Sequence, residues 1–321
     1  MQIPGVLHNP RVITGGTAAT DAAIDLIGRA NRTLTGEVFV LDDASVVGAI
    51  NRQLDEHAVV NLLADTEHFA RKGGKRMALD QLSTAGAKYV PHGDDATKIH
   101  SKSLVANGDD AIVTTAAFTD DTHFKDDISV LFKGDAARAV EVLTQAAFTQ
   151  DRATIKQAAK VAAQHGIYVN DPHFGVRLLR KAVNGLIDDA TQRIVLQTKQ
   201  FSDLASAERL VAALADPNID VRVIATTVSK KVQRVLDEAG INVERRPVHA
   251  NVLISDDRAY VGSAYLQKRP MARSKAKRQS REMGVVLDGK RAMAALERTI
   301  GRGYVEPVKS TKAPKVRTSA G

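Results

Sequence analysis

Lys98-Ile-His-Ser-Lys-Ser-Leu-Val-Ala-Asn107 and Pro247-Val-His-Ala-Asn-Val-Leu-Ile-Ser-Asp256 are two versions of one pattern. Each places a histidine two residues before a second polar side chain, then runs through four mostly apolar residues to Asn or Asp. In extended chain, residues i and i+2 project to the same face, which aligns His100 with Lys102 and His249 with Asn251. Each stretch is therefore expected to be a strand with one polar and one buried face.

The likeness continues downstream. A second apolar segment ending in small residues follows each stretch, Ile112 to Phe118 in one case and Tyr260 to Tyr265 in the other. A third segment then opens on an acid, Asp127-Ile-Ser-Val-Leu-Phe132 and Glu282-Met-Gly-Val-Val-Leu287. Three matching elements in one order point to an internal duplication.

The rest of the chain alternates strand-like and helix-like stretches. The pattern predicts a helix over 17–30, a strand over 37–41, a helix over 44–56, a strand over 59–64, a helix over 67–86 and a short strand over 88–90. The second half repeats the grammar, with helices over 175–189, 205–215 and 230–239 and strands over 193–197, 220–225 and 241–244. Such alternation implies α/β architecture with mixed, mainly parallel sheets and helices on their faces.

On these motifs the chain resembles the phospholipase D superfamily, whose signature is His-x-Lys-x4-Asp followed by a Gly-Ser-x-Asn-like turn, once in each half. His100-x-Lys102-x4-Asn107 keeps the lysine and carries Asn at the last position, as tyrosyl-DNA phosphodiesterases of the same superfamily do. His249-x-Asn251-x4-Asp256 keeps the acid and Gly262-Ser263 but lacks the lysine. The resemblance implies two pseudo-symmetric α/β/α halves, over 1–155 and 156–305, followed by a disordered basic tail over 306–321. The joint is expected within the Ala/Lys/Gln-rich stretch 151–169.

The resemblance also implies a covalent phosphohistidine, formed by one histidine while the other protonates the leaving oxygen. His100 is taken as nucleophile because its motif keeps the lysine, and His249 as general acid; the opposite assignment stays open. Lys102 would clamp the phosphate oxygens, Asn251 would offer a neutral hydrogen bond, and Thr115 and Ser263 would add hydroxyl donors. Asp127 and Glu282 align with the acids that hold a histidine ring. Asn107 is counted with the substrate-binding residues, although it and Asp256 also suit a turn. Among the other histidines, only His123 stands close enough in sequence to Asp127 to draw notice. An amide in place of an ammonium weakens electrostatic stabilisation, a loss on the order of a hundred- to a thousandfold where one oxyanion donor is removed. The chain is thus expected to be slow, to recruit a cation from the stretch Lys268 to Arg281, or to bind without turnover.

Composition narrows the partners. Cysteine is absent, which excludes disulfides and thiolate metal sites, and no histidine or carboxylate spacing suggests a metal; no cofactor is expected. No run approaches the roughly 18 apolar residues of a membrane span, so a soluble cytoplasmic protein without integral membrane contact is expected. The net charge of +8 is concentrated. Lys268, Arg269, Arg273, Lys275, Lys277, Arg278 and Arg281 fall in one stretch without an acid, and the tail adds four cations more. Outside those two segments the acids slightly outnumber the cations. Between the Gly262-Ser263 turn and Glu282, such a segment would draw a polyanion, making a nucleic-acid phosphate backbone the first expected partner. Aromatic content of 4% with no Trp argues against an extensive base-stacking platform. Phospholipid as substrate, and a catalytically dead scaffold, are the alternatives. The resemblance implies that two motifs in one chain make a complete site in a monomer, since superfamily members with a single motif need a dimer.

Overall fold

The computed structural model describes residues 3–64, 75–91, 97–264, 266 and 279–300. The chain opens on a short strand, β1 (Leu7–His8), and then builds a sheet from β2 (Arg11–Thr14), β3 (Thr33–Val38), β4 (Val59–Ala64) and β5 (Lys88–Pro91). After β6 (Thr97–Ile99), the strands β7 (Ser103–Ala106), β8 (Asp110–Thr114) and β9 (Ile128–Lys133) complete it, in the order β2-β9-β8-β7-β3-β4-β5. The second sheet is made from β10 (Ile167–Asp171), β12 (Arg193–Phe201), β13 (Asp220–Val228), β14 (Val243–Arg245), β15 (Asn251–Ser255), β16 (Arg258–Gly262) and β17 (Gln279–Asp288). Its order is β10-β17-β16-β15-β12-β13-β14, with β11 (Val176–Arg177) outside β10. Strand for strand, this is the permutation of the first sheet, which is how a duplicated unit looks once folded.

Two elements bind the halves together. β1 and β6, from the first half of the chain, both pair in parallel with β17 in the second sheet.

Both sheets are mixed. The parallel share is smaller than the strand–helix alternation suggests: among the described residues of the first sheet, only β3·β4 and β4·β5 run parallel, while the other four pairings are antiparallel. Part of the reason is local, because β7 and β8 follow one another through a short turn, and β8 and β9 through a loop without an α-helix, so neither pair has the helical crossover that parallel neighbours need.

Period-two alternation sorts the side chains into three cores. Val105, Ala111, Val113, Val252, Ile254, Ala259 and Val261 face a central layer shared by the two sheets and the helices Asp135–Phe148, Arg152–Gln164 and Lys290–Thr299. Leu104, Ala106 and Ile112 point the other way, into a core under the helices Gly16–Ile27 and Ala44–Asp55. Leu253 and Tyr260 do the same beneath the helices Leu178–Asp188, Leu204–Ala213 and Lys230–Glu238. Strands apolar on both faces read as continuous hydrophobic runs, and the motif strands do. Among the described residues no helix is long and apolar enough to cross a membrane.

Most sequence-predicted elements lie within a few residues of their expected places. The strand expected over 37–41 is displaced to Thr33–Val38. Thr33, Thr35 and Gly36 read as turn residues, yet Gly36 faces Leu104 so closely that a Cβ would fall 2.7 Å from its Cδ2. Only glycine lets β3 approach β7 there. Of the helix expected over 67–86, Lys75–Thr84 is seen, and its beginning falls outside the described residues. The tail over 306–321 also lies outside them.

Candidate active site

Both histidines lie just ahead of their strands rather than within them. The amides of His100 and Ser101 both donate to the carbonyl of Arg281, at 2.9 and 3.0 Å. Those of His249 and Ala250 both donate to Oδ1 of Asp126, at 2.6 and 3.4 Å. These amides are thus satisfied by the opposite half, and the ladders begin only at Ser103 and Asn251.

Each imidazole is then held by an acid from the other half. His100 Nδ1 lies 2.9 Å from Glu282 Oε2, and His249 Nδ1 lies 2.7 Å from Asp127 Oδ1. The acids are themselves fixed by hydroxyls at corresponding positions. Ser263 Oγ donates to Glu282 at 2.6 Å and accepts from the amide of Met283, while Thr115 Oγ1 donates to Asp127 at 2.7 Å and accepts from the amide of Ile128. This corrects the expected role of Thr115 and Ser263. A hydroxyl has one hydrogen, and here it is spent on a carboxylate rather than offered to a substrate phosphate.

Lys102 is 3% exposed, donates to the carbonyl of His100 at 2.7 Å and lies 5.3 Å from the ring centroid of Phe39. The same Phe39 ring packs edge-on against His100, with centroids 4.9 Å apart. Burial drives the Lys102 ammonium down to about 8 against the pull of Glu282 and Asp127, with Lys125 and Lys199 pushing further down. Burial also lowers His100, opposed by Glu282 and reinforced by the charges of Lys102 and His249. His100, His249, Lys102, Asp127 and Glu282 therefore form one electrostatic unit. For both acids burial pushes upward, but the facing histidine and the hydroxyl bonds outweigh it and hold each below the usual carboxylate range. Each acid thus stays ionised, fixes Nδ1–H on its ring and leaves Nε2 to do chemistry.

Asn251 is turned into the protein. Its Oδ1 accepts from Thr198 Oγ1 at 2.9 Å and from the amide of Lys199 at 3.4 Å, and Nδ2 donates to the carbonyl of Gly262 at 3.4 Å.

Asn107 has both ends of its side-chain amide engaged in a turn, where it was expected among the substrate-binding residues. At φ 56° its Oδ1 accepts from the amides of Arg32 and Thr33, and its Nδ2 donates to the carbonyl of Arg29. Asp256, at φ 54°, accepts from the amides of Thr191, Gln192 and Arg193 in the same way. His123 reaches Asp43, which caps the helix Ala44–Asp55, at 3.0 Å.

Arg281 is likewise corrected from a cation of the basic segment to a core residue. It is fully buried, with Nε and Nη2 on Glu37 at 2.9 and 2.7 Å and Nη1 on Asp171 at 2.6 Å. Lys268, Arg269, Arg273, Lys275, Lys277 and Arg278 lie outside the described residues, between Leu266 and the start of β17. Of the charged residues just before each acid, Asp126 is not singled out in the sequence and Arg281 is read there only as part of the basic segment. A charge heading two otherwise apolar segments was the available signal. Among the described residues, no group of three or more His, Asp or Glu stands where it would hold a metal ion.

Comparison with solved structures returns the same architecture. A polyphosphate kinase from Porphyromonas gingivalis superposes at TM-score 0.67 and 12% identity over 90% of this chain. A phosphatidylserine synthase from Haemophilus influenzae superposes at TM-score 0.62 and 13% identity, again over 90% of this chain and 85% of its own. This is the phospholipase D fold. The chain spans only 49% of the kinase's length. A phospholipase D family member, Nuc from Salmonella typhimurium, aligns with 44% of this chain at TM-score 0.40. No family profile and no curated protein sequence matches.

Proposed function

We propose that this phospholipase D-fold protein cleaves phosphodiesters without a metal, through a phosphohistidine on His100, and that its substrate is a nucleic-acid backbone. The observation that carries the reading is the crossed pair of dyads, His100 with Glu282 and His249 with Asp127, each imidazole tied at Nδ1. His100 is the better nucleophile because burial favours its neutral form, whose Nε2 lone pair can attack phosphorus. As the P–O bond breaks, the Nε2–H of His249 passes to the leaving alcohol. Neutral His249 then takes a proton from water, the oxygen attacks phosphorus, and the P–N bond breaks to return His100 and a phosphomonoester. Lys102 neutralises charge on the non-bridging oxygens throughout.

The choice of nucleic acid rests on the six cations between Lys268 and Arg278, which no acid interrupts. Cleavage of single- and double-stranded DNA and RNA in EDTA, by the wild type and by His100→Ala, tests both parts. Metal-independent cleavage that vanishes in the variant is the expected result. Turnover of phospholipid vesicles in place of nucleic acid would move the substrate to lipid. Salt-sensitive nucleic-acid binding with no cleavage would leave a binding protein.

A further inference from the structure

The register of the two sheets places corresponding residues side by side. In the first sheet Glu37 pairs with Ser103, the residue after Lys102; in the second, Gln197 pairs with Val252, the residue after Asn251. Glu37 and Gln197 are therefore equivalent, and two residues further along Phe39 is equivalent to Lys199. The first half thus carries Phe39 beside Lys102, and the second carries Lys199 beside Asn251. An apolar residue and a lysine have become a lysine and a polar residue, at corresponding positions at or just beyond the ends of the paired strands.

From this exchange we infer that Lys199 supplies the second phosphate-binding ammonium of the site, reached from β12 instead of from the motif strand. The inference rests on the phosphodiester reading above and names the cation that reading lacks. Gln197 shows where this strand face points, since its Nε2 enters the seam between the halves and donates to Asp126, next to the acid that holds His249. Side chains two apart on a strand share a face, so Lys199 follows Gln197 toward the dyads. Phe39, at the matching position, touches both His100 and Lys102. Lys199 is half-buried, and no carboxylate among the described residues forms an ion pair with it. Burial is the main reason the Lys102 ammonium is lowered, and the charge of Lys199 adds a small push in the same direction. Asn251 takes on a different task, its Oδ1 holding the amide of Lys199 and the hydroxyl of Thr198. Among the described residues Lys125 is the other cation acting on Lys102, and it is committed to Asp121 at 3.0 Å.

Two readouts separate this inference from the reading beneath it. Hydrolysis of bis(p-nitrophenyl) phosphate in EDTA reports turnover, and calorimetric titration with inorganic phosphate reports anion binding without turnover. Lys199→Ala is expected to lower kcat/KM roughly a hundred- to a thousandfold. It is expected to weaken phosphate binding at least about tenfold, while Lys125→Ala, whose ammonium is paired with Asp121, has a clearly smaller effect on both. The double variant Lys199→Phe/Asn251→Lys, which copies the first half, should regain much of what Lys199→Phe loses. Unchanged thermal unfolding of Lys199→Ala shows that its loss is not one of folding. If the wild type turns over, His100→Ala does not, and Lys199→Ala matches wild type in both assays, the inference is overturned and the phosphodiesterase reading stands. If the wild type binds phosphate in a Lys199-dependent way yet hydrolyses nothing, the inference stands and that reading falls. A wild type that neither hydrolyses the diester nor binds phosphate sinks both.

Discussion

An imidazole becomes a directed nucleophile or acid only when one of its nitrogens is committed elsewhere. Here Glu282 and Asp127 make that commitment, so replacing either should spoil catalysis without emptying the site. Glu282→Gln and Asp127→Asn keep the shape but let the ring adopt the wrong tautomer, a loss of up to about 10⁴ in turnover where a triad carboxylate was neutralised. Lys102 sets a second limit at this scale. Its ammonium is held down to about 8, so the clamp loses its charge as pH rises through that value. Activity should therefore fall above pH ~8, while the acid limb, where His100 takes up a proton, lies below the ordinary imidazole value. A guanidinium stays charged throughout this range, so in Lys102→Arg the part of the alkaline limb set by residue 102 should disappear, leaving only the limit set by the proton that His249 must donate, whatever happens to the maximal rate. A pH–rate profile of the two proteins on one diester checks this; a limb that stays near 8 in the variant would take the assignment away from Lys102.

At the scale of elements, the turn residues that close the motif strands deserve a stability test of their own. Asp256 gathers three backbone amides, and although burial pulls its carboxyl up, those bonds outweigh it and hold the group below the usual carboxylate range. Its stabilising contribution is present above the unfolded value and is lost as pH falls through the depressed one. Asp256→Ala should cost about 2 kcal/mol in urea unfolding, and Asp256→Asn, the residue used at 107, should cost less. Elements of this kind were legible in the sequence because their determinants are local: short continuous apolar runs such as 103–106 and 251–255, and a polar residue at each strand end. The shifted β3 was not, because its place is set by the fit of Gly36 against Leu104. The motif histidines were legible as a pair. That each leans on the other half's acid was hidden, since no local spacing records how the two sheets dock. Arg281 was misread for the same reason, its carboxylate partners lying 244 and 110 residues away.

At the scale of the molecule, the seam is closed by that arginine. Glu37 belongs to the first sheet, Arg281 and Asp171 to the second, and all three are buried. Removing the guanidinium leaves two carboxylates uncompensated in the interior, a loss of ~3–5 kcal/mol for comparable buried pairs. Arg281→Met is expected to lower the unfolding midpoint accordingly, whereas replacing all three residues together with apolar ones should recover most of the difference. Because β1 and β6 of the first half are stitched to β17, wild-type calorimetry should show one transition and not two.

The crossed dyads make catalysis a gauge of assembly. Neither half owns a finished histidine: each lends its acid and borrows the other's. On the proposed mechanism, a displacement of an ångström or two at the seam would release both rings at once, the attacking one and the proton donor together. Such a device has no half-working condition, and it withholds a reactive nucleophile from the chain until the whole of it has folded.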